Sequence, residues 1–253
     1  MKKESINLLI DRGNSFCKVA TAKNGVISPI AIYPHLTQEV LECYFRNKDR
    51  SVSAIYSQVG ESSEHSIHFL EKHTSTFVRL NSQTPVPLTD ILYDREKLGS
   101  DRLALVVGAS YLYPQKAMLI IDIGTAITYD LINADTVLYG GDITAGPRTR
   151  SKSLCEGTAQ LPDVDFMTAS VEDFFSTYTE QAIANGITRG IIAEVESYII
   201  RAQQLFPGCE TIITGGYGPY FANRIKYKTF AVPNLLMVGL NRILEYNESH
   251  KAP

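Results

Sequence analysis

LLIDRGNS (residues 8–15) returns as LIIDIGTA (residues 119–126), about half of the 253-residue chain later. Each stretch is an apolar run that ends in an aspartate, followed by one residue, a glycine and a small polar residue. The segments behind them also match, since FCKVATAKNGVI (16–27) and ITYDLINADTVL (127–138) are both apolar-alternating runs around a turn. An internal repeat of this kind predicts two similar halves, each of which begins with a strand and a hairpin.

The order of predicted elements indicates the fold class. Predicted strands cover 6–10, 15–22, 26–33 (bent at Pro29), 51–59, 76–81, 117–122 and 210–216, and the second half repeats the strand–turn–strand pattern through about 145. Predicted helices cover 36–48, 64–73, 101–114, 167–177, 179–188, 190–206 and 235–248. Strands therefore precede helices in each half, which predicts an α/β fold with two mixed sheets. We expect the halves to be 1–115 and 116–253, with the final helix free to pack back on the first half.

Composition limits the classes of function. The chain is 44% hydrophobic and 20% charged, as in ordinary globular proteins, and its net charge of −3 offers no basic field for nucleic acid. Its four cysteines form no C-x-x-C pair, which argues against a zinc site and for reduced thiols in the cytoplasm. No apolar run approaches the roughly 18 residues of a membrane span.

The two D-x-G turns are the first candidates for chemistry. An aspartate at the carboxyl end of a buried strand lies where α/β sheets bind ligands, and the glycine lets backbone N–H groups approach an anion. Asn14 or Thr125 adds a hydrogen-bond donor, and Asp11 or Asp122 suits a hard cation such as Mg²⁺. The alternative is a pair of ordinary β-turns. Two turns in register favour the binding interpretation.

Three other segments carry weaker signals, each with a structural alternative. GSDR (99–102) offers Asp101 as a general base and Arg102 as an anion clamp, although an N-cap aspartate beside a solvated arginine is commoner. TGGYGPY (214–220) either passes under a nucleotide or forms a plain strand-to-helix turn. GGDITAGPRTRSK (140–152) either contacts phosphate or is a solvated loop. The phosphate-loop and dinucleotide fingerprints are absent, so a nucleotide would be bound through the duplicated turns.

These motifs together resemble the actin/hexokinase/acetate-kinase superfamily and, within it, the type III pantothenate kinase family. The shared motifs, in family order, are DRGNS (11–15), GSDR (99–102), DIGTAITYD (122–130), GGDITAG (140–146), TGG (214–216) and PNLLMVGL (233–240). The resemblance implies a duplicated actin-like (ribonuclease H-like) fold, with two mixed-sheet α/β halves and an ATP cleft between them.

The resemblance also implies an activity and a set of roles. The activity is ATP-dependent phosphorylation of pantothenate to 4′-phosphopantothenate, the first step of coenzyme A biosynthesis, with Asp101 as the general base. The residues expected around ATP and its Mg²⁺, which Asp11 would help to bind, are Asp11, Arg12, Gly13, Asn14, Ser15, Lys18, Gly124 and Thr125. Asp122 would bind a monovalent cation, K⁺ or NH₄⁺. Pantothenate would be held by Tyr93, Gly99, Ser100, Asp101 and Arg102, and by Thr179 of the partner subunit in a homodimer with a shared active site.

The chain departs from the family pattern in four places. Arg12 replaces a small apolar residue, and Tyr93 lies one residue closer to GSDR, without the usual proline between them. Tyr217 stands where an aspartate is frequent, and Pro147 follows Gly146 instead of preceding it. None of these changes removes Asp11, Asp101 or Asp122, so we expect an active enzyme. The alternatives are another enzyme of the same fold, such as a sugar kinase or a phosphatase acting on polyphosphate, and a nucleotide-binding transcription accessory protein without turnover.

Overall fold

The computed structural model describes residues 4–13, 16–47, 50–59, 63–170 and 175–250. The strands are β1 (Glu4–Arg12), β2 (Cys17–Lys23), β3 (Val26–Ile27), β4 (Ala31–Tyr33), β5 (Arg50–Gln58), β6 (Thr76–Arg79), β7 (Asp90–Ile91), β8 (Met118–Ile123), β9 (Ala126–Ile132), β10 (Val137–Ala145), β11 (Glu210–Thr214) and β12 (Phe230–Ala231). The helices are α1 (Gln38–Phe45), α2 (Glu64–His73), α3 (Ser100–Leu112), α4 (Pro147–Gly157), α5 (Thr179–Leu205), α6 (Gly218–Ala222) and α7 (Leu235–Ser249). A 3₁₀ turn covers Phe166–Thr168.

The chain divides into two compact units. The first contains the residues up to Pro114 together with those from Asn234 onward, and the second is Gln115–Pro233. Helix α7 thus belongs to the first unit, where it packs against α3 and β1.

The first unit is a sheet with helices on both faces. Its strand order is β3-β2-β1-β5-β6, and β4 also pairs with β2. Strand β1 runs antiparallel to β2 and parallel to β5. Leu9 packs with α3 and α7 on one face, whereas Leu8 and Ile10 pack with α1 and α2 on the other. Because side chains alternate along a strand, Asp11 lies on the α3 face and Arg12 on the α1 face.

The second unit repeats this arrangement. Its strands run in the order β12-β11-β8-β9-β10, with β8 antiparallel to β9 and parallel to β11. Each D-x-G turn therefore follows the central strand of a sheet, with a hairpin partner on one side and a parallel strand on the other. The predicted fold class, with two mixed α/β sheets, is confirmed.

Helix α5 is one helix of 27 residues, so the predicted break near residue 189 is wrong. Its buried face recurs every four residues through the predicted break, at Ile183, Ile187, Ile191, Val195 and Ile199. Burial of this continuous face outweighs the poor helix propensity of Gly190.

Three other predictions differ from the structure. The predicted strand 26–33 is split around Pro29 into β3 and β4, because proline cannot donate to a sheet ladder. Helix α4 was predicted as a loop, although Pro147 at its first turn is a regular start signal. The predicted helix 167–177 is absent from its described part, where only the 3₁₀ turn forms, and 171–174 lie outside the described residues. Among the helices described, none is both long and apolar enough to cross a membrane.

Candidate active site

The first D-x-G turn presents a buried carboxylate at the end of β1. Asp11 is only 5% exposed. The turn is closed by two backbone hydrogen bonds, from Gly13 N–H to Phe16 O (3.0 Å) and from Val59 N–H to Arg12 O (3.0 Å). Asn14 and Ser15, predicted to bind ATP, lie outside the described residues.

Lys18 and Arg12 have different relations to Asp11. Lys18 lies directly across the β1–β2 ladder from Asp11, and residues paired in this way project on the same face of the sheet. Arg12 projects on the opposite face, where its Nη1 donates to the carbonyl oxygen of Pro34 at 3.3 Å. Lys18 thus lies on the Asp11 side of the sheet, whereas the Arg12 guanidinium is directed toward the loop that precedes α1.

The GSDR segment forms the first turn of α3. Gly99 is the N-cap, so the N-cap interpretation of Asp101 is wrong. Asp101 is the second residue of the helix, and its Oδ1 accepts the backbone N–H of Arg102 at 2.8 Å. A Cβ atom at residue 99 would lie 2.5 Å from Asp101 Oδ1. Gly99 therefore leaves the space that the Asp101 carboxylate occupies.

Arg102 is buried, with 3% exposure, so the alternative of a solvated arginine is also wrong. Its guanidinium carbon lies 4.7 Å from the centre of the Tyr93 ring, in a cation–π contact. The structure thus brings Tyr93 to Arg102 despite its shifted spacing in the sequence.

A serine that the sequence analysis missed joins the first turn to α3. Ser57, at the end of β5, is fully buried and pairs with Asp11 in the parallel ladder. Its Oγ lies 3.4 Å from Asp11 Oδ1 and 3.0 Å from Ser100 Oγ. Ser100 in turn donates to the Gln58 carbonyl at 3.0 Å. The only sequence signal was a small polar residue at the end of an apolar strand.

The second D-x-G turn is held by the start of α4. Gly124 N–H donates to Ala126 O at 2.9 Å, and Gly146 N–H donates to Thr125 O at 3.0 Å. Thr149 Oγ1 donates to the same Thr125 carbonyl at 2.6 Å. A side chain at residue 146 would overlap the Gly124 carbonyl, so glycine is needed for this close approach.

The TGG segment lies beside the second turn. Asp122 pairs with Thr214 in the parallel β8–β11 ladder, and Tyr217 N–H donates to Ile123 O at 3.0 Å. Gly215 has a φ of +90°, and a Cβ atom there would overlap Asp122 Oδ1 and come within 2.5 Å of Ile123 O. The TGG segment thus passes close to the Asp122 carboxylate, although the two are distant in sequence.

The arginines of the 140–152 segment are paired within the second unit. Arg148 binds both carboxylate oxygens of Asp163, with Nη1 at 2.7 Å from Oδ1. Arg150 Nη2 lies 2.7 Å from Glu194 Oε2, and its Nε donates to the Ala145 carbonyl at 2.8 Å. Both guanidinium groups have protein partners, and residues from Pro147 onward form α4, so the predicted loop is wrong for this part of the segment.

Glu194 is the centre of a polar network behind this segment. Its Oε1 accepts hydrogen bonds from Tyr129 (2.7 Å) and Thr144 (2.8 Å). Burial alone would raise the pKa of Glu194, but the hydrogen bonds from Arg150, Tyr129 and Thr144 hold it below its ordinary value. The Tyr129 ring stacks on the Tyr198 ring, with 3.8 Å between the ring centres. Burial raises the pKa of the Tyr129 hydroxyl, and its hydrogen bond to Glu194 raises that pKa further. The network fastens β9, β10 and α4 to α5.

Thr179, the residue expected from a partner subunit, is the first residue of α5 and is exposed. Phe175 and Tyr178 just before it are 86% and 75% exposed.

Comparison with solved structures gives the class of the fold. A Baf family transcriptional activator from Campylobacter jejuni has a TM-score of 0.62 at 21% identity, over 96% of this chain and 99% of that one. The ROK hexokinase of Thermus thermophilus has a TM-score of 0.51 at 8% identity, over 94% and 98% of the two chains. MreB5 of Spiroplasma citri bound to ADP has the same TM-score at 10% identity, over 99% and 100%. The fold is therefore that shared by actin-like proteins and ROK hexokinases.

Sequence comparison gives the family. A model of type III pantothenate kinase matches residues 7–201. The type III pantothenate kinase of Porphyromonas gingivalis W83 is 38% identical over 245 residues, which cover 96% of this chain and 99% of that protein. The one from Phocaeicola vulgatus is 35% identical with the same coverage. The chain belongs to the type III pantothenate kinase family, as its motifs indicated.

Proposed function

We propose that this protein transfers the γ-phosphoryl group of ATP to the primary hydroxyl of pantothenate, forming 4′-phosphopantothenate for coenzyme A biosynthesis. One observation in the fold carries the assignment of the site. Asp11, at the end of β1, and the first turn of α3, which bears Asp101, meet through Ser57 and Ser100. A phosphate-binding turn next to a helix start with a carboxylate base is the arrangement that phosphoryl transfer to an alcohol requires.

The residues around Asp11 fit a nucleotide and its divalent cation. Asp11 offers carboxylate oxygens, the ligands that Mg²⁺ prefers, and Lys18 projects on the same face of the sheet. The phosphates would be surrounded by Asp11, Arg12, Gly13, Asn14, Ser15 and Lys18. Of these, the Arg12 side chain donates to the Pro34 carbonyl in this structure. Bound Mg²⁺ supplies neutralisation of the charge on the transferred group.

The second turn supplies the remaining nucleotide contacts and a cation site. Gly124 and Thr125 would approach phosphate, held in place by the hydrogen bonds from Gly146 and Thr149. Asp122, close to the backbone of Gly215, would bind the monovalent cation, K⁺ or NH₄⁺. The Asp122 carboxylate would supply the negative charge that attracts this cation.

Pantothenate would bind at the start of α3. The Arg102 guanidinium can grip the pantothenate carboxylate through two charge-assisted hydrogen bonds, while the Tyr93 ring holds the guanidinium in position. Asp101 would accept the hydroxyl proton as the phosphoryl group arrives. Gly99 gives the carboxylate room, and Ser100 fixes the helix start to β5.

The remaining proposals concern assembly and location. We place Thr179 in the pantothenate site of the opposite subunit of a homodimer, supported by its exposure next to Phe175 and Tyr178. We place the enzyme in the cytoplasm, a proposal supported by four cysteines that are all free thiols.

The test is an ADP-release assay with ATP, Mg²⁺ and pantothenate, in K⁺ or in Na⁺. Asp101→Asn should lower kcat by about 10²–10⁴-fold, the usual contribution of a positioned base, while ATP binding persists. Asp90→Asn is a matched control, because Asp90 also accepts the N–H of its following residue (2.8 Å) but lies outside α3. Asp90→Asn should retain turnover.

Three results would contradict parts of the proposal. Full turnover by Asp101→Asn would show that Asp101 is not the base. Equal rates in Na⁺ and K⁺ would show that turnover does not depend on K⁺. Binding of ATP without pantothenate-dependent turnover in the wild type would favour a nucleotide-binding regulator instead of a kinase.

A further inference from the structure

Ser57 lies between the two parts of the proposed active site in the first unit. Its side chain is fully buried at the end of β5. One neighbour is the Asp11 carboxylate, 3.4 Å away, and the other is the Ser100 hydroxyl, 3.0 Å away. Ser100 is the first residue of α3, and Asp101 follows it. The Ser57 hydroxyl therefore links the Asp11 carboxylate to the start of α3.

The hydrogen atoms available are too few for all of these contacts at once. Ser57 and Ser100 each have one hydroxyl hydrogen. Three contacts would each need one of these two hydrogens. They join Ser57 to Asp11, Ser57 to Ser100, and Ser100 to the Gln58 carbonyl. Ser100 also accepts the Gln58 N–H at 3.3 Å, which uses no hydroxyl hydrogen. Only two of the three contacts can be hydrogen bonds at a given moment.

The two states of this cluster differ in how α3 is held. When Ser57 donates to Asp11, Ser100 must choose between Ser57 and the Gln58 carbonyl. When Ser57 donates to Ser100, Ser100 keeps its hydrogen bond to Gln58, and the start of α3 is held by both partners. The contact from Ser57 to Asp11, at 3.4 Å, is longer than the usual range for O–H···O hydrogen bonds. The contact from Ser57 to Ser100, at 3.0 Å, is at the upper end of that range. A small movement of the carboxylate therefore decides between the states.

We propose that Ser57 is a positioning residue that couples occupation of the Asp11 turn to the placement of Asp101. This inference rests on the proposed function, because it assigns the polyphosphate and its cation to Asp11 and the substrate hydroxyl to Asp101. The 3.0 Å contact has the Ser57 hydrogen on Ser100, and ligands that engage the Asp11 oxygens keep it there, so that both partners hold the first turn of α3. An Asp11 carboxylate without those ligands competes for the same hydrogen and weakens that hold. Binding of the nucleotide then strengthens binding of pantothenate, and by linkage the reverse also holds.

The experiment is titration calorimetry of pantothenate with and without Mg²⁺ and a non-hydrolysable ATP analogue. In the wild type the analogue should tighten pantothenate binding by a factor within the usual range of coupling, roughly 5–150. Ser57→Ala should bring that factor close to one and lower kcat, while pantothenate alone binds as in the wild type. Ser57→Cys keeps the volume with a weak donor, so it should give an intermediate factor and also serves if the alanine variant folds poorly.

Ser53→Ala is the matched control. Ser53 lies on the same strand, is 2% exposed, and its hydroxyl contacts Ser75 Oγ at 3.1 Å, away from Asp11. Ser53→Ala should show the wild-type coupling. A loss of coupling that occurs only in Ser57→Ala is then due to the Ser57 hydroxyl and not to the loss of a buried serine from β5 in general. Equal coupling in Ser57→Ala and Ser53→Ala, or no coupling in an active wild type, would overturn the inference. A wild type without turnover would instead refute the proposed function itself.

Discussion

At the scale of single residues, the second turn depends on a glycine that the D-x-G pattern does not contain. Gly215 adopts a left-handed conformation and passes so close to Asp122 and Ile123 that no side chain fits. The proposed cation site is therefore built from two segments, β8 with its turn and the TGG turn after β11. Strain in either segment should therefore displace the Asp122 carboxylate.

Gly215→Ala should destabilise the second unit and weaken the dependence of activity on K⁺. The left-handed backbone alone costs on the order of 1–3 kcal/mol for a side chain, and the overlap with Ile123 backbone atoms adds to this. Gly216→Ala is the control, because a Cβ atom there meets nothing within 4 Å. Hydrogen exchange of β8 and β9 in urea measures the effect. Equal protection in the two variants would contradict the assignment of strain to residue 215.

At the scale of elements, the polar network around Glu194 fastens the hairpin behind the second turn to α5. Glu194 accepts from β9, β10 and α4, through Tyr129, Thr144 and Arg150. Arg150 also holds the Ala145 carbonyl, next to the glycine that contacts Thr125. The network thus supports the turn through Ala145 and its neighbour Gly146.

The depressed pKa of Glu194 predicts how this support depends on pH. A carboxyl whose folded pKa is below its unfolded value, about 4.3, stabilises the fold above that pH and loses the contribution as pH falls through the folded pKa. Glu194→Gln should therefore be less stable than the wild type at pH 7, and the difference should shrink below about pH 4. Urea unfolding from pH 7 to pH 2 measures it, with exposed Glu180→Gln on the same helix as the control. A constant difference across this range would contradict the linkage.

The crossing of α3 and α7 is the second contact between elements that depends on glycine. A Cβ atom at Gly239 would overlap the Ala104 carbonyl, and one at Gly108 would lie 2.6 Å from the Leu235 carbonyl. The two backbones therefore approach more closely than any larger residue permits. This crossing sets the position of α3, whose first turn carries Asp101.

Gly239→Ala should destabilise the first unit by about 1–3 kcal/mol, the usual cost of overpacking. Gly190→Ala in α5 is the control, because its nearest neighbour is the tip of Arg150 at 3.9 Å. That change should be neutral or stabilising by up to about 1 kcal/mol, since alanine favours helix. Thermal unfolding compares them. Stability of Gly239→Ala at or above the wild type would show that the crossing has room to relax.

At the scale of the whole molecule, the first unit is completed by the last helix of the chain. Met237, Leu240, Ile243 and Leu244 of α7 are fully buried in the cluster that contains Leu9 and Leu103. The second unit is continuous in sequence, whereas the first is formed by residues from both ends.

A chain ended after Pro233 should lose the fold of its first unit. Each of the four buried α7 side chains contributes about 1.5–3 kcal/mol, so together they approach the stability of a whole domain, about 5–15 kcal/mol. Limited proteolysis should cut residues 16–113 rapidly while 118–214 resist. A chain ended after His250, which keeps α7, is the control. Protection of both units in the shorter chain would refute this role of α7.

The sequence by itself determined the features that depend on neighbouring residues. The repeated apolar run with D-x-G follows from the local pattern, as do the hairpins behind it. The motifs also identified the family. These features are readable because strand alternation, turn residues and caps act over a few positions.

Only the tertiary structure decided which distant residues meet. Ser57 and Ser100 are far apart in sequence, as are Asp122 and Gly215, and no local pattern links either pair. The burial of Arg102 under Tyr93 and the continuity of α5 also arise from packing, which overrode the local expectations of a solvated arginine and a break near Gly190. The sequence pattern determines which face of an element is buried. The packing of those buried faces determines which elements contact each other and which distant side chains meet.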